Sequence, residues 1–280
     1  MPIKDILLPL VGEPSAAAIA AIDKCTAVAG DFGARITAVA VEQGISVRPQ
    51  VTIPTGPDNT AAAQEVGNLS NAHGLLQAFD AAANRFGVRN QQRLEGSAAA
   101  DIAANIAAHA RLRDLSIVPV KPYDARSEKI VEALIFSSGR PILICPEEFV
   151  ADLAVAFGDV TIAWDHTAPA ARAVADALPI LQAAANVHVI TATDTMTPAE
   201  LDSGAALVNH LEEHGIKATF ETVKIDGSSI GKVFEGYVKT HAIDLLVMGA
   251  YRHSRLNKFV WGGATKTVIG RPPCWVMMSR

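Results

Sequence analysis

Short, unbroken apolar runs alternate with Ala-rich helical stretches along the whole chain. The first run, Ile6-Leu7-Leu8-Pro9-Leu10, contains no charged or hydrogen-bonding side chain. A strand that reads this way is buried on both faces, as in parallel sheets. Gly12, Pro14 and Ser15 follow, then a helical pattern over 16–29 that Gly30 and Gly33 end. The same reading predicts strands at 36–41, 88–94, 115–120 and 142–145. It predicts helices at 61–86, 98–110 and 127–136, with a long Pro-, Gly- and Thr-rich loop over 44–59. Strands alternating with helices predict a parallel, doubly wound α/β sheet.

The pattern then restarts. Val160-Thr161-Ile162-Ala163-Trp164 reads as a strand, followed by an Ala-rich helix over 168–184. Strands follow at 187–191, 218–224, 244–248 and 274–278, and helices at 198–214, 228–241 and 264–269. The restart is a repeat. Gly96-Ser97 and Gly227-Ser228, each read as opening a helix, lie 131 positions apart. So do Gly139-Arg140-Pro141 and Gly270-Arg271-Pro272, each ahead of a last strand, while Asp114-Leu115 and Asp244-Leu245 lie 130 apart. The first strands, aligned at Pro9 and Ala163, lie 154 apart, the surplus falling in the 44–59 loop and the helix after it. The expectation is a duplicated domain, 1–150 and 151–280, with its junction near 146–159.

Composition narrows the classes. Half of the 280 residues are hydrophobic and 19% are charged, which excludes a disordered chain. With 24 Lys+Arg against 29 Asp+Glu the net charge is −5, against a general nucleic-acid binder; a local loop can still bind an anion. Cys25, Cys145 and Cys274 form no CxxC pair, which reads as three small buried thiols in a reduced, cytoplasmic chain. The N-terminus lacks the pattern of a signal peptide, and no run approaches 18 apolar residues, so no membrane span is expected.

In a doubly wound sheet, ligands bind outside the carboxyl ends of the strands where strand order reverses. In the second half those ends carry Asp165-His166-Thr167 and the loop Gly249-Ala250-Tyr251-Arg252-His253-Ser254, which leads to Gly262-Gly263-Ala264-Thr265 ahead of a helix. A glycine-bearing loop entering a helix offers free N–H groups and the positive end of the helix dipole to a phosphate. Asp165 is placed to accept a hydrogen bond from a base or ribose, or else to cap the helix, as is Thr167. Gly249 either serves the ligand loop or only turns the chain. His210-Leu211-Glu212-Glu213-His214 matches H-x-x-E-H, so zinc held by His210 and His214 is a third reading; a plain helix end is its alternative. The sequence contains no Walker loop and no G-x-G-x-x-G.

On these residues the second half resembles the universal stress protein family. That family's fingerprint after the fourth strand is Gly, two residues, Gly, nine residues, then Gly-Ser or Gly-Thr. Gly249 and Gly262 match its first and third glycines, Arg252 stands at the second, and Gly263 stands where the family has Ser or Thr. Asp165 matches the aspartate that contacts adenine, and Ala192 the small residue whose backbone touches it. The resemblance implies a nucleotide site built from Asp165, Ala192, Gly249, Tyr251, Arg252, Gly262, Gly263, Ala264 and Thr265, with AMP or ATP as ligand and at most weak ATPase activity. Because Arg252 and Gly263 remove two phosphate contacts, AMP or a smaller anion is expected ahead of ATP. The first half resembles the family more distantly. Val11 stands at the aspartate's position, and Lys121-Pro122-Tyr123-Asp124 replaces the glycine loop, so no nucleotide site is expected there.

The whole therefore resembles tandem universal stress proteins: two five-stranded parallel sheets, Rossmann-like or flavodoxin-like, in order 3-2-1-4-5, related by a pseudo-twofold. The last strands of the halves are expected to pair antiparallel as an intramolecular pseudo-dimer, with a further homodimer left open. The function implied is a cytoplasmic role in the stress response. A scaffold or interaction protein without nucleotide is the alternative, and neither nucleic acid nor membrane is an expected partner.

Overall fold

The computed structural model describes residues 2–44, 59–98, 101–148, 157–195, 197–250 and 263–280. The first half runs β1 (Asp5–Leu10), α1 (Ala16–Asp31), β2 (Arg35–Gly44), α2 (Asn59–Phe86), β3 (Asn90–Ala98), α3 (Ile102–Ala110), β4 (Leu115–Val120), α4 (Ala125–Ser137) and β5 (Ile142–Pro146). The second runs β6 (Asp159–Ala163), α5 (Ala168–Leu181), β7 (Asn186–Ala192), α6 (Pro198–Glu213), β8 (Ala218–Val223), α7 (Ile230–His241), β9 (Leu245–Gly249), α8 (Gly263–Gly270) and β10 (Trp275–Ser279).

The strands form one sheet in the order β3-β2-β1-β4-β5-β10-β9-β6-β7-β8. Within each half the pairing is parallel and follows the expected 3-2-1-4-5. The halves meet where β10 pairs antiparallel with β5, as expected, through Val276↔Ile144, Met277↔Leu143 and Met278↔Ile142. Ile117 pairs with Leu143 and Val247 with Met277. Because Asp114 and Asp244 are repeat partners, Ile117 corresponds to Val247 and Leu143 to Met277. Leu143 thus faces its own counterpart, and the pseudo-twofold passes through that pair.

Apolar layers cover both faces and run across both halves. One buries Cys25 and Val28 of α1, Phe79 of α2, Val174 of α5 and Leu211 of α6. The other buries Ile106 of α3, Leu134 of α4, Phe234 of α7 and Val268 of α8. The continuous apolar strands follow from this two-sided burial. All three cysteines are free and buried. Burial pushes the thiols of Cys25 and Cys274 well above the ordinary range. Trp275 packs edge-on against Phe157 at 5.7 Å. Among the described residues no helix is long and apolar enough to cross a membrane.

The repeat is visible in its hydrogen bonds. Asp114 Oδ2 accepts from the N–H groups of Lys4 and Asp5 at 2.9 and 3.0 Å. Asp244 Oδ2 accepts from those of Gly158 and Asp159, both at 2.9 Å. Each carboxylate ties the entry of its half's central strand to the neighbouring strand. Asp244→Ala leaves two part-buried N–H groups without an acceptor, an expected loss of about 1–3 kcal/mol in urea unfolding. Asp244→Asn keeps an acceptor and should lose less; an alanine variant as stable as wild type would show that these bonds carry no net stability.

One expectation is corrected. Gly96-Ser97 does not open a helix: β3 continues to Ala98 and α3 begins at Ile102. The ladder to β2 runs on through Glu42↔Gly96, Gln43↔Ser97 and Gly44↔Ala98, so backbone pairing to a ten-residue neighbour prevails over the local turn signal. Only Gly227, at φ +71°, and Ser228 stand ahead of a helix, which starts at Ile230. Most of the 44–59 loop lies outside the described residues.

Candidate functional site

Strand order in the second half reverses at β6, which has β7 on one side and β9 on the other. Ala163 pairs with Met248, so the chain leaving β6 emerges beside Gly249. Trp164 closes the strand. Its N–H donates to Ile190 O at 2.8 Å, its Nε1–H to Ser203 Oγ at 3.1 Å, and its carbonyl accepts from Thr191 Oγ1 at 2.9 Å. The His166 ring stacks on it at 6.0 Å, in a left-handed backbone conformation at φ +62°.

Asp165 is exposed at this turn. Its Oδ1 accepts from Thr167 N at 3.2 Å and Thr167 Oγ1 at 2.6 Å. Thr167, not Asp165, is the N-cap of α5, with Oγ1 accepting from Ala170 N. Asp165 orients the cap from outside, and its Oδ2 has no hydrogen bond among the described residues. The capping reading of Asp165 is thereby corrected: its Oδ1 holds the Thr167 turn, and Thr167 caps the helix.

Ala192 ends β7, half-buried, and forms the adjoining rim. Beyond it Asp194 Oδ1 accepts from the N–H groups of Ile225 and Asp226, tying this loop to the one after β8. On the other side Gly249 meets the first turn of α5. A Cβ there would lie 2.5 Å from Ala170 N, 2.7 Å from Pro169 C and 2.9 Å from Ala170 Cα. The helix could not approach β9 this closely over any larger residue.

Gly263 begins α8, exposed, and an added Cβ would meet nothing within 4 Å. Ala264 is half-buried against the apolar layer, and Thr265 is buried. Thr267 Oγ1 donates to Gly263 O at 2.7 Å. Tyr251, Arg252 and Gly262 lie outside the described residues, as does Trp261.

The last strand contributes neighbours that the sequence reading missed. Ala250 N donates to Ser279 O at 2.8 Å, and Ser279 Oγ donates to Asp176 Oδ2, itself paired with Arg172 at 2.8 Å. No local pattern marks this contact, because its partners are joined only through the sheet.

The corresponding ends in the first half are differently built. Val11 packs against the apolar layer, and Gly12 turns the chain at φ +107°. After β4, Tyr123 stands exposed at φ +57° and Asp124 caps α4, its Oδ2 accepting from Ser127 N at 2.8 Å and Ser127 Oγ at 2.6 Å. Burial pushes the Asp124 carboxyl up, but the Ser127 hydrogen bonds outweigh it and hold the group below its ordinary range. His210 in α6 and His214 just past its end are exposed, their rings edge to face at 4.9 Å. Among the described residues no group of three or more His, Cys, Asp or Glu is placed to hold a metal ion.

Comparison with known proteins bears on this arrangement. Residues 156–280 match the model of the universal stress protein family. No curated protein matches the chain. A universal stress protein from Archaeoglobus fulgidus is similar in structure, with TM-score 0.65 at 16% identity, over 99% of this chain and 96% of that one. A putative universal stress protein from Pseudomonas aeruginosa is similar with TM-score 0.58 at 14% identity, over 99% and 93%. The second half therefore matches the universal stress protein family in sequence, and the whole chain is similar in fold to universal stress proteins.

Proposed function

We propose that this is a cytoplasmic stress-response protein of two domains, 1–150 and 151–280, whose second domain binds an adenine nucleotide or a smaller anion. The observation that carries the reading is the crevice at the reversal of strand order. There the exposed Asp165, whose Oδ2 has no hydrogen bond among the described residues, follows β6, whose last residue pairs with Met248 next to Gly249. The exposed first residue of α8, Gly263, supplies a helix N-terminus in the loop that follows β9. The carboxylate suits a ribose hydroxyl or an adenine amine, and the helix N-terminus suits a phosphate. AMP is favoured over ATP because Arg252 and Gly263 replace two residues that would contact phosphates. Each lost contact to a charged group is worth roughly 1.5–3 kcal/mol.

A scaffold role without nucleotide is the second reading. It draws on Gly249, which the close approach of α5 requires whether or not a ligand binds. Calorimetric titration distinguishes the two. AMP should bind once per chain and more tightly than ATP; Asp165→Ala should weaken it about tenfold, and Val11→Ala should leave it unchanged. Two equivalent sites per chain would refute the single-site reading. Absence of heat, and of any melting shift with either nucleotide, would favour the scaffold.

A further inference from the structure

α8 is poorly equipped to hold itself together. It has eight residues, and six of them, Gly263, Thr265, Thr267, Val268, Ile269 and Gly270, are weak helix formers. Isolated helices of this length do not form in water, so its order comes from contacts. Inside the second half, α7 presses against it at Gly231, where an added Cβ would lie 2.5 Å from Thr267 Cγ2. Its last turn, however, is completed by the first half. Tyr123 N–H donates to Gly270 O at 2.7 Å, satisfying a terminal carbonyl that the helix itself leaves open.

The antiparallel join of β5 and β10 explains this meeting. It sets the carboxyl end of β4, which carries Tyr123, beside the end of α8 that leads into β10. α4, which starts just after Tyr123, packs along α8. At the far end of α4 the Arg280 guanidinium lies 4.5 Å over the Phe136 ring, so the chain end beyond β10 is also seated on the first half. Tyr123 holds this position at φ +57°, a left-handed conformation that non-glycine residues seldom adopt.

We infer that the first domain braces the ligand site of the second: Tyr123 is a positioning residue that caps α8 from the other domain and thereby orders its first turn, 263–265. The brace stands on the contacts above; its effect on binding rests on the nucleotide reading already proposed. A domain without a recognisable nucleotide loop thus gains a role in its partner's site. Because helix ordering is cooperative, ligand at Gly263 and the cap at Gly270 should reinforce each other through α8.

Hydrogen exchange on the full chain tests this without ligand. In wild type the Tyr123 amide, although its side chain is exposed, should exchange as slowly as the amides of α8; a fast Tyr123 amide overturns the inference even if no variant folds. Tyr123→Pro removes the donor and should speed exchange across α8 roughly five- to tenfold, with α5 unaffected. Tyr123→Gly keeps the donor, accepts the positive φ and should restore wild-type exchange. Equal acceleration in α5, or a glycine variant as disruptive as the proline one, overturns it. In AMP titrations the proline variant should bind several-fold more weakly and the glycine variant like wild type. If wild type binds no AMP, the nucleotide reading fails, and α8 exchange still decides whether the brace exists.

Discussion

Replacing Gly249 with alanine should destabilise the protein by about 3 kcal/mol, an overpacking cost at the upper end for one added methyl group. All three atoms that the new Cβ would meet, at 2.5, 2.7 and 2.9 Å, are backbone atoms of Pro169 and Ala170, so no side-chain rotation relieves the clash. The first turn of α5 must move off β9, and it carries the Thr167 cap and, through it, the Asp165 turn. AMP affinity should therefore fall together with stability. Gly263→Ala is the control: its Cβ enters open space, so stability should stay within about 0.5 kcal/mol. Urea unfolding of the two variants measures the contrast, and equal midpoints would show that α5 shifts at little cost.

These two glycines also mark where sequence reading stops. Gly249 matches the spaced pattern and Gly263 departs from it, and spacing alone leaves open whether Gly249 serves a ligand or turns the chain. In the structure Gly249 answers a helix that arrives from a distant part of the chain, and nothing adjacent to it announces that contact. The strands were legible because two-sided burial writes itself as unbroken apolar runs, as at Ile6–Leu10. The repeat was legible because Asp114 and Asp244 perform the same task in each half. The start of α3 was misread because Gly96-Ser97 resembles a helix entry, while the decisive force, pairing with β2, is non-local. Asp165 illustrates a third case: its position was readable, but the hold of its Oδ1 on both Thr167 N and Thr167 Oγ1 depends on the turn's geometry. The Tyr123–Gly270 bond is the least legible, since its two residues meet only through the antiparallel join.

That join is the second place where a single change should have a large effect. Met277 is fully buried and faces Leu143, its own counterpart, at the pseudo-twofold. The surrounding positions, Ile142, Ile144, Val276 and Met278, are equally buried and apolar, so they supply no polar partner for a charge. Met277→Asp places an unpaired carboxylate, or a neutral acid with unmet hydrogen bonds, at the centre of a ten-stranded sheet. The expected loss is about 4 kcal/mol or more. Met277→Leu, which nearly conserves volume, should cost less than about 1.5 kcal/mol. The form of the transition is as informative as its midpoint. Both apolar layers run across the join, so wild type should unfold in urea as one cooperative unit. If the aspartate variant opens the β5–β10 pairing, the halves should unfold in two steps, each with a smaller dependence on denaturant, because each exposes less surface. A Met277→Asp protein that unfolds in a single step at the wild-type midpoint would mean that the pairing of Leu143 with Met277 does not hold the two halves together.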